Sequence, residues 1–220
     1  MATSSASTSQ PGLRERKKQQ TRELIAETAR RLFAERGFEA VTVAEIARAA
    51  DVAETTVFNY FPTKEDLVYW RMESFEAALL DAIRRREPGE SVLAAFARFV
   101  LAQRGLLAEP DAEASERLAA LTRMIAGSPS LLAREQQVYA RYTASLAALI
   151  AQETGAVADA IEPWVAANAL MGVHRGLVDY ARRRIVAGAR NPRLARDVRA
   201  QGERAIALLE RGLGDYAPKA

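Results

Sequence analysis

The chain has 220 residues, 49% of them hydrophobic, with no cysteine, one histidine and a formal charge of +3. That length suits one large or two small domains with a sizeable core, and the missing thiols exclude disulfides, cysteine nucleophiles and Cys/His zinc centres. No uninterrupted apolar stretch of about 18 residues exists, which excludes a membrane-spanning helix, and the small net charge permits a nucleic-acid partner without indicating one.

The polar opening MATSSASTSQPG lacks the apolar segment of a signal peptide, so residues 1–13 read as a disordered arm of a cytoplasmic protein. Arg14, Arg16, Lys17 and Lys18, with Glu15, form a basic cluster that fits phosphates or simply a solvated helix start. A first helix is predicted over 16–35, with Leu24, Ile25, Thr28, Leu32 and Phe33 as its apolar stripe and Gly37 as its stop. Phe38 and Val41 lead into a second helix that starts with a capping box, Thr42 and Glu45 three residues on. Val43, Ile46 and Ala47 share its inward face. Asp51 stands at a tight turn, a place Asx residues tolerate. A short helix over 53–60 follows, with Val57 inward and Glu54, Thr55, Thr56, Asn59 and Tyr60 outward, until Pro62 stops it.

Two short helices around a tight turn make a helix-turn-helix candidate, whose second helix would lie in a DNA major groove. An ordinary αα-corner in a helical core has the same spacing. The wider context separates the two. Residues 24–69, LIAETARRLFAERGFEAVTVAEIARAADVAETTVFNYFPTKEDLVY, closely resemble the DNA-binding domain of TetR-family transcriptional regulators. By motif position the resemblance implies DNA contacts from Thr42, Ala44, Glu54, Thr55, Thr56, Asn59, Tyr60 and Lys64. Thr42, Tyr60 and Lys64 go to phosphate, and Glu54, Thr55, Thr56 and Asn59 to bases. Two departures stand out. The family often has Gly where Asp51 stands and Ser where Ala53 stands, and losing that Ser cap weakens helix entry by about 1 kcal/mol unless Asp51 substitutes. Glu54 replaces a commonly basic or polar residue, so the operator preference of relatives does not transfer.

Thr63 with Asp66 opens a long helix over 64–86, with Val68, Met72, Phe75, Leu79 and Ile83 on one face. Its end, Arg84 to Arg86, reads as solvated cations suited to a helix C-terminus. This makes 14–62 a DNA-binding domain and 63–87 a linking helix. Glu87-Pro88-Gly89 marks the boundary of a second domain over 88–214, with a frayed tail over 215–220. Helices are predicted over 91–106, 114–126 and 129–153, with a loop at 108–113, a turn at Gly127-Ser128-Pro129 and a stop at Gly155. Two longer helices follow, over 160–187 and from an Asn191-Pro192 cap to 213. The whole is an all-α fold of about nine helices.

The 160–187 helix is apolar nearly all round, which requires burial on two sides. Leu170, His174, Leu177, Ala181 and Ile185 form one side, and Val165, Ala169, Gly172, Gly176 and Tyr180 the other. The last helix adds Val198, Gly202, Ala205, Ile206 and Leu209. Either the two helices pack on each other within one subunit, or they also meet a second copy. A helix-turn-helix that reads twofold-related half-sites favours a homodimer, and the resemblance implies a dimer closed by the last two helices.

No catalytic motif is found, and the lone His174 reads as a core residue, so neither an enzyme, a metal nor a cofactor is expected. The resemblance implies instead a small-molecule effector bound in the C-terminal domain. Candidates are Phe96, Phe99, Met124, Tyr139, Tyr142, Trp164, Asn168, Met171, His174 and Arg175. Asn168 and Arg175 would need polar partners if buried, whether a ligand or an internal ion pair. The expected function is therefore a dimeric, ligand-responsive DNA-binding regulator, most simply a repressor. A helical interaction adaptor without DNA binding is the alternative, and an enzyme on a helical scaffold a distant third.

Overall fold

Ten α-helices carry the described residues of the computed structural model, which are 12–102, 112–189 and 193–212, and no strand occurs among them. Residues 1–11 of the expected N-terminal arm, the C-terminal tail, most of the 108–113 loop and the Asn191-Pro192 cap lie outside these residues, while Leu13, expected in the arm, is the first residue of a helix. The chain divides into two compact units between Trp70 and Arg71.

The first unit holds α1 (Leu13–Arg36), α2 (Val43–Ala49), α3 (Glu54–Tyr60) and α4 (Asp66–Tyr69). Helix α1 packs against α2 and α4, and α2 against α3. Ile25, Ala29, Val41, Ile46, Val57, Phe61 and Leu67 are buried between them. Each large side chain among these contributes roughly 1.5–3 kcal/mol through burial. Gly37 ends α1 at φ 83°, a conformation costly for other residues. Phe38 then folds back onto Phe33, their ring centroids 5.1 Å apart.

The second unit holds α5 (Met72–Arg84), α6 (Val92–Leu101), α7 (Ala112–Ala126), α8 (Pro129–Thr154), α9 (Glu162–Val186) and α10 (Arg193–Arg211). Helices α8 and α9 form its central pair; α7 packs against both, α10 against α9 and α5 against α8, and α6 joins α5 to α10. Ser91 and Ser128 cap α6 and α8 through their hydroxyls, and Gly155 ends α8 in the left-handed region. The main core joins Leu79, Phe96, Phe99, Tyr142, Leu146, Leu170 and Ile206, while a small cluster of Ala119, Ile185 and Leu194 ties α7, α9 and α10 together.

The single helix expected over 64–86 is two elements, which makes ten helices rather than nine. Trp70 and Arg71 keep right-handed dihedrals. The main-chain bond from Phe75 N to Arg71 O is stretched to 3.4 Å, and the Ser74 hydroxyl donates to that carbonyl at 2.6 Å. Of the arginines at the end of the expected helix, Arg84 and Arg85 are exposed as expected, and Arg86 differs. Arg86 is not a solvated end: its guanidinium donates to Glu153 on α8 at 2.5 Å and to the carbonyls of Ile83 and Glu90 at 2.9 and 3.0 Å.

Candidate functional site

The helix-turn-helix is held by local hydrogen bonds that its sequence dictates. The Glu45 amide donates to the Thr42 hydroxyl at 3.2 Å, and Glu45 accepts from the Thr42 amide at 2.8 Å. Arg36, from the end of α1, donates to the same carboxylate at 2.7 Å. The backbone bond from Thr42, reinforced by Arg36, holds the Glu45 carboxyl at about 2.

Asp51 makes the turn with φ 54°, the only residue other than glycine at positive φ among the described residues. Asx side chains tolerate that conformation. Asp51 does not take over as the cap of α3: Ala53 is the N-cap, extended at φ −70° and ψ 148°, with no side-chain bond. Helix α3 is therefore a helix of about two turns held mainly by Val57 and the following Phe61, both buried.

That anchoring decides what α3 presents. Glu54, Thr55 and Asn59 are exposed, and Thr56 and Tyr60 half-buried. On α2 and its cap, Thr42 and Ala44 are exposed. The Lys64 ammonium lies over the Phe38 ring, 4.2 Å from its centroid. Sequence reasoning omitted Phe58, which is 44% exposed. It follows buried Val57 and lies one turn from Glu54, so the 3.6-residue period alone places it on the outer face. An exposed aromatic there matches the apolar contact a thymine methyl accepts.

In the second unit, five of the ten candidate ligand residues are buried: Phe96, Phe99, Tyr139, Tyr142 and Met171. His174 and Met124 are half-buried. The rings form one cluster around Phe75, which stacks on His174 at 4.5 Å and meets Phe99 and Tyr142 at 5.3 and 5.8 Å. Burial pushes the His174 imidazole down to about 4 and raises the Tyr139 phenol. Both groups are neutral near pH 7.

The remaining three candidates are placed differently. Trp164, Asn168 and Arg175 are exposed on the outer face of α9. The Asn168 amide is satisfied within its own helix, donating to the Trp164 carbonyl at 2.7 Å. The Arg175 guanidinium sits 5.7 Å from the Tyr139 ring centroid. The internal ion pair belongs instead to Arg182, which forks onto buried Glu135 of α8 at 2.7 and 2.5 Å. A second polar tie joins Glu76 of α5 to Arg141 and Ser145 of α8, at 2.9 and 2.7 Å. Among the described residues no group of three or more His, Cys, Asp or Glu side chains comes together as a metal site.

The outer face of α9 also carries Val165, 58% exposed, and the exposed glycines Gly172 and Gly176. A Cβ built on either glycine meets nothing within 4 Å. Mid-helix glycine costs about 0.5–1 kcal/mol relative to alanine, so packing inside the subunit does not account for them. Ala169, Gly172, Gly176, Tyr180 and Ala205 line a groove of about 440 Å³ along α9 and α10. Gly202 and Ile206, expected on this outer face, are buried inside the subunit. A Cβ on Gly202 would come within 2.4 Å of Leu101. Val198 and Leu209 likewise pack inward, against the small cluster and the main core respectively.

Comparison with known proteins assigns both parts of the chain. Residues 25–69 match the family described as bacterial regulatory proteins, tetR family, and residues 90–213 match the MftR C-terminal domain. The chain is similar to the transcriptional regulator TcmR of Streptomyces glaucescens, with 31% identity over 147 residues, covering 66% of this chain and 65% of TcmR. It is also similar to the regulator MftR of Mycobacterium tuberculosis, with 30% identity over 165 residues, covering 72% of this chain and 78% of MftR. Among solved structures, native NalD of Pseudomonas aeruginosa aligns with a TM-score of 0.54 at 21% identity, over 88% of this chain and 97% of NalD. Among the described residues no helix is long and apolar enough to cross a membrane.

Proposed function

The chain belongs to the TetR family of bacterial transcriptional regulators, and from that premise we propose that it is a homodimeric repressor released from its operator by a small apolar effector. The observation that carries the DNA-binding part is the outward face of α3. It combines polar readers and an exposed aromatic on a short helix anchored by Val57 and Phe61. Asn59 suits adenine, Glu54 accepts from cytosine N4, and Thr55, Thr56 or Phe58 meets a thymine methyl. Thr42, Tyr60 and Lys64 reach phosphates, with Ala44 close to the backbone. The operator places the protein in the cytoplasm.

Two copies meet across the outer face of α9 and the exposed edge of α10. Val165, Ala169, Gly172, Gly176, Tyr180 and Ala205 supply the close approach, and Trp164, Asn168 and Arg175 lie on the same exposed side. The effector enters the cluster of Phe96, Phe99, Tyr139, Tyr142, Met171 and His174 by displacing the Phe75 ring. The walls are uncharged near pH 7, so the ligand is an uncharged, largely apolar molecule. Phe75 stands on α5 beside Met72 and Glu76, which α8 holds, so displacement bears directly on the helix that follows the DNA-binding unit. Dimeric helix-turn-helix proteins need their recognition helices about 34 Å apart or a multiple of it. A shift in α5 that alters this separation lowers affinity without unfolding.

Linkage makes the proposal testable. If an effector weakens operator binding, the operator weakens effector binding by the same factor. Calorimetric titration of a compound found by thermal shift, with and without saturating operator, measures this. Equal affinities in the two titrations would remove the effector-release step. An adaptor would show no salt-dependent affinity for DNA, and an enzyme would show turnover of the compound.

A further inference from the structure

We infer that the first three turns of α1 are a second DNA-contacting element, seated on the phosphodiester backbone beside the bases that α3 reads. The inference rests on the DNA-binding reading above and extends it to residues outside the helix-turn-helix. Helix α1 begins at Leu13, yet its first buried residue is Ile25. Residues 13–20 are all exposed and cover nothing in the core. At about 1.5 Å per residue this is an overhang of roughly 12 Å.

The overhang is patterned. Arg14, Lys17, Lys18 and Thr21 fall at i, i+3, i+4 and i+7, on the stripe that continues to buried Ile25. The face that packs the core further along is thus basic where the core ends. It does not face away from the recognition helix: Arg14, Glu15, Lys17, Lys18, Thr21 and Tyr60 line one groove of about 620 Å³. Tyr60 is the last residue of α3. Arg14, Lys17 and Lys18 form no ion pair among the described residues, and Glu15 is the one acid in the groove. A wide, polar, cationic groove continuous with the DNA-reading helix fits a run of phosphates on one strand, whose charges are closely spaced and sequence-independent.

The test uses the full-length protein, a labelled operator duplex selected from a random pool, and a scrambled duplex of equal length. Fluorescence anisotropy is followed across a potassium chloride series. The triple variant Arg14→Ala, Lys17→Ala, Lys18→Ala should lower the slope of log affinity against log salt by about 0.9 per charge that reaches a phosphate. The loss should be equal on both duplexes, with an unchanged unfolding temperature. Lys17→Arg with Lys18→Arg should keep the slope, and Glu15→Gln should tighten binding to both duplexes. A triple variant whose slope equals that of a salt-sensitive wild type would overturn the inference while leaving the recognition helix in place. A wild type without salt-dependent affinity for either duplex would overturn the DNA-binding reading itself, and the groove with it.

Discussion

Tyr142 on α8 donates its phenolic hydrogen bond to the main-chain carbonyl of Met72, the first residue of α5. The same ring stacks against Phe75 one turn further on, and its neighbours Arg141 and Ser145 both hold Glu76. One turn of α8 thus grips the first two turns of α5. Tyr142→Phe keeps the stack and removes only the hydroxyl, so it should cost about 1–3 kcal/mol through the carbonyl left without its donor. Urea unfolding measures it. Tyr142→Ala, which also removes the ring, should cost about 3–5 kcal/mol. A Tyr142→Phe protein as stable as the wild type would show that the hydroxyl contributes nothing, and equal losses for the two variants would show that the ring adds nothing beyond it.

Acid sensitivity should come in two windows. The His174 folded-state value, about 4, lies below its ordinary 6.5, so its contribution is complete above pH 6.5 and is lost as pH falls through about 4. The Glu45 value, about 2, lies below its ordinary 4.5, so its contribution is complete above pH 4.5 and lost as pH falls through about 2. Melting temperature measured from pH 7 to pH 2 should therefore fall with acid in both windows. His174→Phe should flatten the upper window only, and Glu45→Gln the lower only. A change in the wrong window for either variant contradicts the assignment.

Restoring a cap to α3 should stabilise the DNA-binding unit. Ala53 has the extended backbone an N-cap needs but no oxygen to offer the open amides. Ala53→Ser should add about 0.5–2 kcal/mol, read as a raised denaturation midpoint. No gain would mean that α3 is held wholly by Val57 and Phe61.

Two glycines on neighbouring helices should respond oppositely to a larger side chain. Gly176 has open space around it, so Gly176→Leu should leave the subunit folded and abolish the dimer in light scattering. Gly202 faces Leu101 at 2.4 Å from an ideal Cβ, so Gly202→Leu should destabilise each subunit. Overpacking of that kind costs typically about 1–3 kcal/mol. A dimeric Gly176→Leu protein of unchanged stability would place the interface elsewhere.

Local chemistry was the legible part of this chain. The Thr42–Glu45 box, the Asp51 turn and the glycine stops at Gly37 and Gly155 are each set by residues a few positions apart, and the structure carries all four. Periodicity also separated the inward Leu170 and Ile185 of α9 from the outward Val165 and Gly176. It could not say which element meets each face. Asn168 and Arg175 looked like interior polar groups, yet the charge that is buried is Glu135, paired with Arg182 across two helices. The break at Trp70–Arg71 has no proline or glycine to announce it. Gly202 carries the same small-residue signature as Gly176 but serves the subunit's own packing, which depends on where Leu101 falls.

DNA recognition by this protein depends most directly on whether α3 reads bases. Operator and scrambled duplexes should be titrated in parallel with wild type, Asn59→Ala and Lys64→Ala, at several salt concentrations. Asn59→Ala should lose about 1–3 kcal/mol on the operator, relax preference at one position per half-site and leave scrambled DNA nearly unaffected. Lys64→Ala should weaken both duplexes alike and reduce the salt slope by about 1. Equal losses on the two duplexes for Asn59→Ala would contradict base reading by this helix.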